Sequence, residues 1–177
     1  TNDNLFILKS CLQKQLLTGQ KLYLAFVYFK KAFNYVNHYI LIYKLLKHGM
    51  SGRFVSLMKD MYSKIKGIIK VNNKIYDTVD DLCGTNQGGP LSPNMFRCML
   101  SDLKEYLDEH YGICLDDEIL LHMLWADDLV LMASSPDGLQ KQLDGLYTFC
   151  SRFQMIDNEL KTKVMIFGND KKDHIFN

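Results

Sequence analysis

Two adjacent aspartates, Asp127 and Asp128, interrupt the apolar stretch Leu124-Trp125-Ala126-Asp127-Asp128-Leu129-Val130-Leu131. Aspartate is a poor strand former, and a carboxylate among apolar neighbours is costly unless it is paired or bound to a cation. A side-by-side pair flanked by two strands could hold a hard divalent ion, because such ions take oxygen ligands. The same pair equally suits a solvated turn. A second segment with chemical possibilities is Thr85-Asn86-Gln87-Gly88-Gly89-Pro90-Leu91-Ser92-Pro93. Its glycines let a ligand or another backbone approach closely, and a helix starting at Ser92-Pro93 offers free N–H groups to an anion. Taken alone, such a loop is as readily a plain connection. The five cysteines (Cys11, Cys83, Cys98, Cys114 and Cys150) never form a C-x-x-C pair, and the five histidines are dispersed. That spacing argues against a disulfide framework and a zinc site, and the cysteines read as small buried hydrophobes.

The elements that must position these residues follow from periodicity. Leu5, Leu8, Leu12 and Leu16 predict a helix over 4–17, stopped by Gly19. Residues 22–29 (LYLAFVYF) predict a buried strand. Helices follow over 39–48, ended by Gly49, and 52–62, capped by Ser51. Two β-rich runs, 65–71 and 74–79, meet at Asn72-Asn73, a pair that tolerates the positive φ of a tight hairpin turn. From Ser92-Pro93 a helix continues through Phe96, Met99, Leu100, Leu103, Tyr106 and Leu107. Strands at 119–125 and 129–133 flank Asp127-Asp128, with Trp125 packed beneath the hairpin as a core aromatic. A helix opens at Ser135-Pro136, and residues 163–167 form the last strand. The order α-β-α-α-β-β-α-β-β-α-β predicts an α/β (α+β) fold with a mainly antiparallel sheet and helices on one face.

At 177 residues and 47% hydrophobic content, the chain can bury the core of one domain. No run approaches the roughly 18 apolar residues that span a bilayer, and the N-terminus lacks a signal-peptide pattern. An intracellular protein with no membrane partner is expected. The net charge of +1 does not advertise a polyanion partner. Locally, however, Lys59, Lys64, Lys66, Lys70 and Lys74 face one acid, Asp60. Those lysines suit either a solvated strand face or phosphate contact.

Together the motifs resemble non-LTR (LINE-type) retrotransposon reverse transcriptases. Ala25-Phe26-Val27-Tyr28-Phe29-Lys30-Lys31-Ala32-Phe33-Asn34, followed by Val36-Asn37-His38, resembles the family segment AFVDFKKAFD. Gln87-Gly88 through Leu91-Ser92-Pro93 resembles its QG-x-x-LSP motif, and Trp125-Ala126-Asp127-Asp128 its YADD box. Asn158 with Lys161-Thr162-Lys163-Val164-Met165 resembles the motif ending in KTKVM. The resemblance implies a palm domain spanning 1–177, without the fingers, thumb and endonuclease regions. It implies RNA-directed DNA polymerisation within target-primed retrotransposition: nucleotidyl transfer from a dNTP to a DNA primer on an RNA template. Two Mg²⁺ (or Mn²⁺) ions, roughly 3.5–4 Å apart, would stabilise the attacking and leaving oxygens. By resemblance Asp127 is a metal ligand and Asp128 its helper. Phe33 screens the sugar 2′ side, Gln87 and Gly88 cradle nucleotide and template, and Lys161 gives a proton to the leaving pyrophosphate.

The first-motif aspartate is replaced by Tyr28. A phenol offers one neutral, weak oxygen on a bulky ring. No Asp or Glu occurs between Asp3 and Asp60 to take its place. Asn34, Asn86, Trp125, Asp157 and Leu160 also depart from the family pattern, while the hydrophobic periodicities survive. The expectation is a degenerate active site: a palm that folds but is catalytically impaired. The other readings are a non-catalytic nucleic-acid-binding remnant using the Lys59 to Lys74 lysines, and a pseudogene product.

Overall fold

The apolar run beginning at Leu22 becomes the strand β1 (Leu22–Tyr28), which is held between two others. The computed structural model describes residues 2–64, 66–72, 74–80, 83–85 and 89–168. The chain divides into two compact units, Thr1–Lys30 with Ser101–Asn177, and Lys31–Leu100.

In the first unit, β1 pairs antiparallel with β7 (Asp128–Ala133) on one side and β8 (Lys163–Phe167) on the other. β6 (His122–Trp125) pairs with the far side of β7, giving the order β6-β7-β1-β8. The helix α1 (Asn2–Thr18) ends at Gly19, whose φ of +66° is the left-handed stop its position predicts. Cys11 of α1 is buried in one cluster with Leu22, Leu24, Ile113, Met123 and Met132, and Leu8, Leu12, Phe26 and Val130 pack at its margin. Asn4 anchors the first turn, its amide donating to the Leu124 carbonyl at 3.2 Å. The opposite face of the sheet carries Tyr23, Ala25 and Val27, in register with Ala133, Leu131 and Leu129. Against it packs α5 (Pro136–Phe153) with Leu139, Leu146, Phe149, Cys150 and Phe153 buried. The antiparallel sheet with packed helices is as expected, but helices cover both faces instead of one. The physical reason is β1 itself: its consecutive buried residues Leu22 to Ala25 leave no wettable side.

α5 starts where the sequence indicates, with the Ser135 hydroxyl accepting from the Gly138 N–H at 3.0 Å and Pro136 in the first turn. Two expectations fail nearby. The predicted helix over 92–107 ends early: α4 (Ser92–Leu100) stops and a 3₁₀ turn follows at Leu103–Tyr106. Tyr106 then meets Phe149 and Phe153 edge-on, at 5.4 and 6.0 Å, a packing a continued helix would not supply. The predicted strand over 119–125 is also split. β4 (Ile113–Leu115) and β5 (Glu118–Leu120) form their own hairpin, turned at Asp116 with φ +53°. The buried Leu121 marks the bend into β6, its carbonyl accepting from Met132 N–H at 2.8 Å.

In the second unit, α2 (His38–Lys47) is capped by Asn37, which accepts from Tyr39 and Ile40 N–H. α3 (Gly52–Ser63) is capped by Ser51 as predicted, and Gly49 sits between them at φ +73°. The buried Lys44 amine donates to the Met99 carbonyl of α4. β2 (Lys66–Val71) and β3 (Lys74–Asp80) form the expected hairpin, with Asn72 at φ +48°. Asn73 lies outside the described residues. Cys11 and Cys150 are buried as expected, but Cys114 is exposed in the β4–β5 hairpin, its thiol donating to the Asp116 carbonyl. No helix among the described residues is long and apolar enough to cross a membrane.

Two predictions follow from α5. A Cβ on Gly145 would lie 2.2 Å from the Tyr106 carbonyl oxygen, a backbone atom with no freedom to yield. Gly145→Ala is therefore expected to lower stability by about 1–3 kcal/mol. Gly52→Ala, with open space around it, should be neutral. Equal urea midpoints for the two variants would refute this packing. Burial, aided by Asp157, pushes the Cys150 thiol up to about 12 from 9.0. The unfolded thiol loses its proton first, so this contribution to stability is present below pH 9 and is lost between about pH 9 and 12. Cys150→Ala should flatten the alkaline fall in stability over that window, measured against wild type.

Candidate functional site

The acidic pair sits at a hairpin tip. β6 ends at Trp125 and β7 begins at Asp128, leaving Ala126 and Asp127 to make the turn. Ala126 takes a left-handed conformation, φ +53°, that glycine would adopt without strain. Such a non-glycine conformation costs on the order of 1–3 kcal/mol and persists only where the surrounding ladder dictates it. Asp127 is half-buried and Asp128 exposed. Trp125, expected beneath the hairpin, is 52% exposed instead, because the turn follows it immediately.

The register places Trp125, Asp128 and Tyr28 in one row across β6, β7 and β1. Directly opposed residues point to the same face with Cβ atoms roughly 4.5–5.5 Å apart. Tyr28, 40% exposed, therefore stands beside Asp128 at the end of β1. Tyr28 is also fixed from its other edge. Its carbonyl accepts from the Asn158 N–H at 2.7 Å, and its N–H points at the Thr162 hydroxyl at 3.4 Å. The Asn158 carbonyl in turn accepts from the N–H groups of Lys161 and Thr162 and from the Thr162 hydroxyl. This tight turn delivers Lys161, whose ammonium lies 4.8 Å from the Tyr28 ring centroid. A cation over an exposed ring contributes about 0.5–1 kcal/mol. Asn158 and Thr162 were legible only as parts of a motif. Their work on the Tyr28 backbone depends on a pairing 134 residues apart that no local pattern reveals.

The site residues thus fall into two groups. Tyr28, Asp127, Asp128 and Lys161 converge in the first unit. Phe33 belongs to the second unit, where its ring meets Phe96 at 5.3 Å and its carbonyl accepts from Thr85 N–H at 2.8 Å. The segment leading to the glycine-rich loop runs beside it: Gly84, at φ +99°, donates to the Val36 carbonyl, and a Cβ there would lie 3.2 Å from the Asn34 carbonyl oxygen. Gln87 and Gly88 lie outside the described residues.

For a metal, the donors converging in the first unit are two carboxylates, and the neighbour opposite Asp128 is a phenol. Among the described residues, no group of three or more His, Cys, Asp or Glu that could hold a metal ion forms. The set does not fit a pair of dications sharing three carboxylates.

Comparison with known proteins supplies the frame for this geometry. A family model described as reverse transcriptase (RNA-dependent DNA polymerase) matches residues 4–175. The retrovirus-related Pol polyprotein from the type-1 retrotransposable element R2 of Nasonia vitripennis is 28% identical over 141 residues, 80% of this chain and 14% of that protein. The type-2 element R2DM polyprotein of Drosophila melanogaster is 28% identical over 151 residues, 84% of this chain and 14% of that protein. The chain thus spans about one seventh of these curated relatives. Among solved structures, apo telomerase from Candida tropicalis superposes with a TM-score of 0.67 at 17% identity, covering 96% of this chain and 35% of that one.

The strained tip generates its own test. Ala126→Gly should hold stability within about 1 kcal/mol of wild type or raise it, whereas Ala126→Val should lower it by about 1–3 kcal/mol. Chemical denaturation of the two variants measures this, and a valine tolerated as well as glycine would refute the left-handed turn.

Proposed function

The chain belongs to the reverse transcriptase (RNA-dependent DNA polymerase) family, and we propose that it is a non-LTR retrotransposon palm whose metal centre has lost one carboxylate and with it most nucleotidyl transfer. R2 elements, among its relatives, are non-LTR retrotransposons, the class its motifs resemble. The family uses divalent metal ions such as Mg²⁺. The substrates in this reading are an RNA template, a DNA primer and dNTPs, and the setting is intracellular.

One observation carries the proposal: the Tyr28–Asp128 register. It sets a phenol at the end of β1, beside the tip, where the family sequence calls for the first aspartate. Asp127 and Asp128 are the remaining carboxylates of the centre. Lys161, the candidate proton donor to pyrophosphate, rests on the Tyr28 ring. In this reading Phe33 screens the sugar 2′ side, and Gln87 and Gly88 cradle nucleotide and template, as the resemblance implies. Two carboxylates neutralise less of the charge of two dications than three do. Loss of a shared ligand removes several kcal/mol of transition-state stabilisation, and each factor of about 1.4 kcal/mol is tenfold in rate.

The test is dNTP incorporation on a primed RNA template with Mg²⁺ or Mn²⁺, comparing wild type with Tyr28→Asp. Wild type should stay at background, and the aspartate variant should gain on the order of 10²-fold or more, about 3 kcal/mol in the barrier. Robust synthesis by wild type would sink the impaired-centre proposal. A silent Tyr28→Asp would refute the single-ligand account.

A further inference from the structure

Between α2 and α3, within the second unit, lies a pocket of about 380 Å³ lined by His38, Tyr39, Ile42, Lys59, Tyr62 and Ser63. Pockets of roughly 300–1,000 Å³ are the usual size for small ligands. Two buried rings make its wall: His38 and Tyr62 lie with centroids 4.3 Å apart and planes inclined by 32°. His38 is locked in place, its Nε2 donating to the Gly84 carbonyl at 2.6 Å. Burial pushes the Tyr62 phenol up, which keeps that ring uncharged.

The mouth of the pocket is built differently. Tyr39 is 75% exposed, and Tyr43, one turn along the same helix, is 58% exposed. Two large rings turned to solvent at i and i+4 form an apolar surface next to a polar opening. Lys59 lines the same mouth, and Arg53 and Lys64 are exposed at the two ends of α3. Asp60 is the one acid in the sequence between Asp3 and Asp77. The surface therefore combines flat rings, an apolar recess and positive charge from Lys59, Arg53 and Lys64 against the single acid Asp60 of α3. That combination matches an unpaired base carried on a phosphate backbone: rings stack on the base, and cations meet the phosphates. A duplex would keep its bases stacked inside and out of reach of such a recess. The acid-poor surroundings select a polyanion over a neutral apolar ligand.

We infer that the α2–α3 pocket binds an unpaired base of single-stranded RNA, with Tyr39 stacking on the base and Lys59 meeting a neighbouring phosphate. The inference rests on the polynucleotide substrate proposed above, and it is independent of whether the metal centre works.

Binding is measured by fluorescence anisotropy with a 5′-labelled, unstructured 12-nucleotide RNA and an abasic sugar–phosphate oligomer of the same length. Tyr39→Ala, at a solvent-facing position, should weaken RNA binding about 5- to 100-fold, while Tyr39→Phe, which keeps the ring, should bind like wild type. Lys59→Ala should lower the slope of log affinity against log salt by about one. The abasic oligomer should bind weakly and be indifferent to Tyr39→Ala. RNA carrying 4-thiouridine should crosslink to the peptide containing Tyr39. Native-strength RNA binding by Tyr39→Ala, or an abasic oligomer bound as tightly as RNA, would overturn the pocket. If Tyr28→Asp synthesises DNA while Tyr39→Ala binds normally, the pocket fails and the polymerase proposal stands. If the crosslink forms at Tyr39 but neither form synthesises DNA, the pocket stands and the single-ligand account fails.

Discussion

The hydrogen-bonded register of β1 between β7 and β8 is the constraint on which the rest of the first unit depends. With a side-chain period of two, a slip of one residue would exchange the faces of β1 and turn Leu22, Leu24 and Phe26 away from α1. Because apolar residues fill both faces, the slip is resisted by the fit of side-chain shapes on each face. The same register brings the last residue of β1 level with the first residue of β7. The site is thus the terminus of a ladder whose position is set by burial further along it. Chemistry at the tip inherits its geometry from packing that never touches it.

Around that terminus, backbone and side chain carry different information. The backbone of Tyr28 is held as a strand end should be, by β7 on one edge and the Asn158–Thr162 turn on the other. The phenol is partly exposed at the strand end, with Lys161 against its ring. The frame for the chemistry persists although one of its groups has changed.

Much of this was readable in advance because the signals are local. Ser51 and Ser135 capped the helices they precede, Gly19 and Gly49 took the left-handed φ their positions called for, and Asp127 fell in the turn between two strands with Asp128 opening the second. The misses share a cause: tertiary partners overriding a local pattern. Leu103, Tyr106 and Leu107 keep helical spacing, yet Tyr106 is claimed by Phe149 and Phe153. Residues 119–125 read as one apolar strand, but β5 and β6 answer to different neighbours. Trp125 read as core by hydrophobicity, although the break at Asp127-Asp128 left it at the end of its strand, where it is exposed. The close approach of α5 to Tyr106 through Gly145 was equally silent, because a glycine in a helix looks like a weakness until its neighbour is known. Of the candidate site, Asp127, Asp128 and Tyr28 were legible together through the family pattern, and the contact of Lys161 with the Tyr28 ring was not.

The placement of β1 also bears on how the chain comes to be folded. Its partners β7 and β8 lie about a hundred residues or more downstream, with the whole of the second unit in between. Non-local pairing of this kind is slow, since loop closure precedes any reward from the contacts. On a ribosome adding about 5–20 residues per second, Leu22–Tyr28 would wait roughly 5–20 s for β7 to emerge. That segment has no charge and no proline, and three of its seven residues are aromatic, the composition of a strand that pairs with copies of itself when left uncovered. α1, synthesised just ahead of it and packed against its even-numbered face in the finished sheet, is available to shield it from the start of that interval. The helix that looks peripheral in the finished sheet is thus well positioned to act as an internal guard for its central strand.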